Sequence, residues 1–503
     1  MILFLRVFMY LIAILFSCNE TKTDTAQAPS FQYPAPTEIL EWRGTGGPNT
    51  SFTQEDLFTN CSPLFGGEDD DLHHNLVVPY RGHLVMPWIP EWSRGGVSFF
   101  DVSDPCNPIK EGELYHDRLR ESHSLSFIHL PPDDANAGEY MVLTGVLGLQ
   151  FWEVSDLDNM EMLNYMQIEG VFYPDSYTRV VLSVFWQYPY VYVAAADNGI
   201  FVVDATNPRE PELVNQYVFD PPLRTAGVFA VGNTLFVSSA EGSDAALLDI
   251  SDPKNPQPIG GGRFQSKDSN GDAKESYHAN VAGPWALFAR KEGGGGVIVY
   301  DISDPQNPTY VSDVFTEGGN GGYVFYDEGY LFLGDSHWGK VFDATDINTI
   351  TEIGTGYLPG DLDTMTPYGN VAILSVDDEA EEGIASAIMP WTQEPDTTGP
   401  LPMYINPVDG AQNIPLTARI GVSFNEMVEP TSVFPGSIRL LNKAGEGIDG
   451  WASAQENIAY FTPKAPLLEG DTYTIQVLEG GIRDINNNPV ETTVEHTFYT
   501  IGQ

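Results

Sequence analysis

The stretch GGVIVYDISDPQNP, residues 295–308, decides the fold, because it names both a strand and the device that ends it. Val297 to Tyr300 is a run of Val, Ile and Tyr, residues that strands favour. Asp301 and the Asp304-Pro305 pair then stop the ladder. Proline has no N–H to donate, and an aspartate can close an Asx-turn over the following backbone.

The same sentence is written six times. GGVSFFDVSDPCNP (95–108), GLQFWEVSDLDNM (148–160), GIFVVDATNPREP (199–211), DAALLDISDPKNP (244–256) and GKVFDATDINTI (339–350) share its pattern. The acidic anchors are Asp101, Glu153, Asp204, Asp249, Asp301 and Asp343, separated by 52, 51, 45, 52 and 42 residues. A second strand-like run precedes each, as in YVYVAAA (190–196) or TLFVSS (234–239), and a shorter one follows, as in TYVSDVF (309–315). About four strands per unit at this period predicts a β-propeller. Units two and six lack the Asp-Pro step, having Asp156-Leu157 and Asp346-Ile347. A seventh unit runs from Thr364 to Trp391 without an outer strand. Residues 36–47, PTEILEWRGTGG, supply a stray one, so the expectation is seven blades closed by this N-terminal segment.

These units resemble the LVIVD repeat, echoed by IFVVD (200–204) and VIVYD (297–301), over roughly residues 70–390. That resemblance implies a surface propeller and names no activity.

Beyond the turn-rich linker PDTTGPLP (395–402), residues 401–503 carry short strand-like runs at 420–424, 438–441, 458–463, 473–477 and 496–500. Length and spacing predict an immunoglobulin-like β-sandwich. The motifs PVDGAQNIPL (407–416), FNEMVEPTSV (424–433) and IRDINNNP (482–489) resemble the bacterial Ig-like domain first described in an S-layer protein. This implies a spacer or adhesion module. The expected organisation is a signal peptide (1–17), a tether (18–35), the propeller (36–394) and the Ig-like domain (401–503), an all-β chain.

The N-terminus reads as an address. Val7 to Phe16 is a ten-residue apolar run, too short to span a bilayer and suited to a signal peptide. It ends in Leu15-Phe16-Ser17-Cys18, which resembles the lipobox of bacterial lipoproteins. The resemblance implies acylation of Cys18 and a membrane anchor made of lipid, facing the periplasm or exterior. An exported chain sits in an oxidising compartment, where Cys61 and Cys106 are free to pair.

With 70 acidic and 23 basic residues the net charge is −47, which disfavours a nucleic-acid partner. The excess fits a solvated surface, or calcium binding where carboxylates cluster. DSNGD (268–272) has some of the look of a calcium loop, but Ala273 stands where glycine is needed and Ala279 where a glutamate belongs. EDDD (68–71) and DDEAEE (377–382) are further acidic runs. His74, His123 and His278 recur just ahead of the first strand of their units, a position that faces a propeller's channel, and three imidazoles there could hold a transition metal. The alternative is a repeat-position histidine that caps a strand. Trp88 and Trp92, in PWIPEW, are candidates for stacking on a sugar or peptide. GDSH (334–337) lacks the strand-to-helix elbow of an esterase serine, and no metalloprotease, nucleotide-binding or nucleophile-elbow motif is present. The expected function is therefore non-catalytic: a cell-surface or periplasmic lipoprotein presenting a propeller to a protein or glycan. The alternative is a secreted metal-dependent hydrolase or lyase using the channel histidines.

Overall fold

The computed structural model describes residues 64–65 and 76–502, apart from 89–93, 103, 105, 120–121, 133, 173–177, 292, 337, 377–384 and 393–395. Within these the regular secondary structure is all strand apart from one 3-10 turn at Pro430–Ser432. Seven four-stranded antiparallel sheets succeed one another and form the blades of a β-propeller. Two further sheets, of four and three strands, form a C-terminal sandwich over residues 402–499.

Blade 5 shows how residues become architecture. Its strands are Ser276–Ala282, Trp285–Arg290, Gly295–Asp301 and Thr309–Thr316, paired in that order. The first three are buried almost throughout, while the fourth is largely exposed or half-buried. Neighbouring blades cover both faces of the inner strands, which is why Val297–Tyr300 is continuously apolar rather than alternating.

The acidic anchor sits one residue past a β-bulge in most blades, as at Val299/Tyr300 before Asp301 and Val341/Phe342 before Asp343. Its carboxylate then organises the turn. Asp301 Oδ1 accepts from the Ser303 N–H at 2.8 Å and the Ser303 hydroxyl at 2.6 Å. Asp343 does the same with Thr345, at 3.0 and 2.7 Å. Three residues on, a second acid repeats the motif: Asp304 accepts from Gln306 N–H at 3.0 Å, and Asp346 from Asn348 N–H at 3.1 Å. Blades 2 and 6 make the turn without proline, through Asp156 and Asp346. The carboxylates, not the proline, therefore carry the geometry.

First strands of successive blades line the channel. Thr366 Oγ1 of blade 7 donates to Val77 O ahead of blade 1 at 3.2 Å, and Tyr80 of blade 1 stacks on Phe127 of blade 2 at 3.8 Å between centroids. The ring has the seven blades expected, but a different segment closes it. Leu64–Phe65 is the fourth strand of blade 7, pairing Leu64 with Ala387 and Phe65 with Ser386. Residues 36–47 lie outside the described residues. This closing strand stands twelve residues ahead of the first strand of blade 1.

Replacing Asp301 with alanine should lower stability by about 1–2 kcal/mol, because it removes both acceptor contacts. Pro305→Ala should cost under about 1 kcal/mol. Urea-unfolding midpoints of the two variants check this; equal losses would return the turn to the proline.

Candidate functional site: a channel closed at one end

The C-terminal sandwich sits on the propeller face that carries the turn between first and second strands of every blade, and it reaches all seven. Blade 1 donates its Arg81 N–H to Glu429 Oε1 at 2.9 Å. Blade 2 accepts from Trp451 Nε1 at Asp134, 2.9 Å. In blade 3 the Tyr188 N–H donates to the Tyr460 hydroxyl at 3.0 Å. Blade 4 packs backbone to backbone: a Cβ on Gly421 would lie 2.1 Å from the Gly232 nitrogen. Gly283 of blade 5 meets Met403, Glu328 N–H of blade 6 donates to Asn425 O at 2.8 Å, and Gly369 of blade 7 meets Asn486.

Arg419 anchors the seam. It is 3% exposed, and its guanidinium donates to Gln187 Oε1, to the Tyr192 hydroxyl at 2.9 Å and to Ile250 O at 3.0 Å. The hairpin Gly450–Gln455/Ile458–Pro463 does the closing. Along it Ala452, Ala454, Ala459 and Phe461 join the sandwich core, while Ile458 and Tyr460 join the core of the propeller. Both faces are buried, with period two. Gln455 Nε2 donates to Val184 O at 3.1 Å and Asn457 Nδ2 to Tyr326 O at 3.0 Å, fixing the tip against two channel strands.

At the closed end lies a cavity of about 30 Å³, lined among others by His123, His278, Tyr323, Phe229, Gln455 and Glu456. That is room for a water or two. His123 and His278 do converge, with ring centroids 6.0 Å apart, and Tyr323 stacks on His278 at 3.8 Å. Burial pushes the His278 imidazole well below its ordinary range, helped by the charges of His123 and Lys291, so it is neutral. Its Nε2 has no hydrogen-bond partner among the described residues. No third imidazole, thiol or carboxylate among the described residues joins the pair at metal-sharing distance. Burial pushes the Glu456 carboxylate up to about 7, against a hydrogen bond from Asn280.

His74, Trp92, Cys18 and Cys61 lie outside the described residues. Cys106 is disulfide-bonded, to a partner that also lies outside them. Trp88 is not a ligand platform: it ends the second strand of blade 1, is 3% exposed and packs on Gly96. The Asp268 loop is closed on itself rather than open to calcium. Asp268 Oδ1 accepts from the N–H groups of Asn270 and Asp272 at 3.0 and 3.1 Å, and Lys274 Nζ stands 3.3 Å from the same carboxylate. Arg419, Gln455 and Glu456 belong to no motif or spacing that the sequence offers.

The fold is thus a propeller carrying an Ig-like domain. A family model for the bacterial Ig-like domain matches residues 396–500, and one for the LVIVD repeat matches residues 189–218, within blade 3. Solved structures of similar shape include the computationally designed Ika8 protein, 11% identical over 65% of this chain and 98% of that one, with a TM-score of 0.42. A Bacteroides fragilis protein assigned as a 6-phosphogluconolactonase is 12% identical over 65% of this chain and 97% of that one, at 0.45. Raptor of Chaetomium thermophilum is 12% identical over 67% and 30%, at 0.44. No curated protein matches the chain. Among the described residues no helix is long and apolar enough to cross a membrane. Propeller repeats joined to an Ig-like domain fit a binding or adhesion role.

Two outcomes follow from the closed end. Arg419→Ala strands three buried acceptors and should cost about 3 kcal/mol or more, with faster proteolysis between residues 391 and 401. Glu456 holds its proton more tightly folded than unfolded. Its share of stability is therefore full below about pH 4.5 and is lost as pH rises through about 7. Glu456→Gln should flatten that decline by about 2 kcal/mol, read as the difference between variant and wild-type denaturation curves at pH 4.5 and 7.5.

Proposed function

We propose that the protein is an exported, non-catalytic binding protein whose ligand surface is the propeller face opposite the Ig-like domain, held at the membrane by lipid on Cys18. The supporting observation is the seam itself. One domain touches the turns of all seven blades on one face and sets its hairpin tip against a cavity of about 30 Å³ at that end of the channel. Among the described residues, the opposite face is the one this domain leaves uncovered for a large ligand.

That face carries a groove of about 650 Å³ across blades 3, 4 and 5, lined by Asp197, Arg224, Glu241, Ser243, Asp244 and Glu275. Its polar groups are held in pairs. Arg224 meets Asp197 at 2.9 Å, Lys291 meets Glu241 at 2.8 Å, and Arg263 meets Asp244 at 2.7 Å. Fixed acceptors with few apolar walls suit a hydroxyl-rich or basic ligand, a glycan or a lysine- and arginine-bearing protein segment.

Residues 19–503, probed on glycan arrays and against basic peptides, should bind reversibly without turnover. Groove variants Glu241→Lys and Ser243→Tyr should each weaken binding tenfold or more, about 1.4 kcal/mol. Turnover that disappears in His123→Ala or His278→Ala would overturn the reading in favour of a channel enzyme. Binding indifferent to both groove variants would overturn the location.

A further inference from the structure

Where the Ig-like domain meets blade 6, three segments distant in sequence bring carboxylates together. Asp396 comes from the linker, Glu426 from the residues after strand Ile420–Phe424, and Asp484 from the loop IRDINNNP. One ligand oxygen from each lies within 4.8 Å of the others. Asp327 and Glu328, in the turn of blade 6, add two more carboxylates close by. The strongest charges acting on Glu426 are Asp484, Asp327, Asp396 and Glu328, all negative. Among the described residues none of the five forms an ion pair with a basic side chain.

The three acids are not placed alike. Asp484 is 0% exposed and held rigidly: Oδ1 accepts from the N–H groups of Asn486 and Asn488 at 2.9 and 2.7 Å, and Oδ2 from Asn488 Nδ2 at 2.8 Å. Asp396 is steadied by the Thr398 N–H at 3.2 Å, and its side chain lies within hydrogen-bonding reach of Asp484. Glu426 is different. It is 2% exposed, points at the other two, and its Oε1 has no hydrogen-bond partner among the described residues. A buried carboxylate oxygen with nothing to bond, aimed at two more carboxylates, lacks a positive partner.

We infer that Asp396, Glu426 and Asp484 form a calcium site on the Ig-like side of its contact with blade 6, with Asp327 and Glu328 of that blade deepening its negative field. Oxygen-only donors select a hard cation over zinc or copper. Oxygens spread over as much as 4.8 Å suit ligand bonds of about 2.3–2.6 Å and an irregular shell. Magnesium demands a tighter octahedron and keeps more of its water, which a buried site does not favour. The cation would bridge the start of the Ig-like domain to its sandwich beside the blade 6 turn, on the same face as the seam that Arg419 makes at blades 3 and 4.

The test uses residues 19–503 stripped with chelator and dialysed into calcium-free buffer. Calcium should bind at one site per chain by titration calorimetry and raise Tm by about 3 °C or more at hundredfold excess over Kd. Magnesium should bind at least tenfold more weakly. Glu426→Gln should lose calcium affinity at least thirtyfold, yet melt no lower than wild type without calcium, because it relieves like-charge repulsion. Asp268→Asn should respond to calcium as wild type does. Stripped wild type that neither binds calcium nor gains Tm, or a Glu426→Gln variant with an unchanged calcium response, overturns the site.

Discussion

Each blade of this ring has its inner strands buried on both faces, and the covering is supplied by the blades on either side. No blade can therefore satisfy its apolar surface alone, and the ring must be complete before any part of it is. The closure rests on a slight contact, the two-residue strand Leu64–Phe65 on the edge of blade 7. Two ladder pairs are little to hold a ring against opening. The Ig-like domain supplies the rest. By touching all seven blades it makes separation of blades 7 and 1 also a separation from Glu429 and Asn486, so the two domains share one stability problem.

The seam also explains the distribution of polar groups. Buried strands usually carry apolar side chains, but the hairpin face turned to the channel carries Ser453 and Gln455 beside Ile458 and Tyr460. Each polar one meets a backbone carbonyl of a first strand, as Gln455 does at Val184 O. Inner strands at the channel mouth expose carbonyls that no neighbouring strand satisfies, and the sandwich answers them with side-chain donors.

How legible this was depends on whether a feature is local. The blades were readable because Asp301, Ser303 and Asp304 act within five residues of one another, and the repetition of that turn reports the fold six times. Blades 2 and 6 stayed readable without proline because the carboxylates do the turning. The closing strand was misplaced because Leu64-Phe65 is too short to carry a pattern, whereas 36–47 looks like an outer strand. The seam was illegible for another reason. Alternating small and polar residues in 450–463 mean one face in a core and one in water, and the sequence does not say that the second face is covered. His123 and His278 line one cavity, but its wall is completed by Gln455 and Glu456, more than 170 residues away in sequence. Asp396, Glu426 and Asp484 span almost ninety residues and three segments, with no spacing to give them away.

Charge then narrows what the free face can meet. Only 23 basic residues accompany 70 acidic ones, and the structure commits many of the former. Arg419 is spent on the seam, while Arg224, Arg263 and Lys291 are held by acids within the groove. A cation already paired at 2.7–2.9 Å must break that pair before it can serve an anionic ligand. A carboxylate in such a pair keeps lone pairs to offer a hydroxyl or an ammonium. A ligand in the proposed groove would therefore meet acceptors, and an anionic one would face both the field of the whole chain and a surface with its donors engaged.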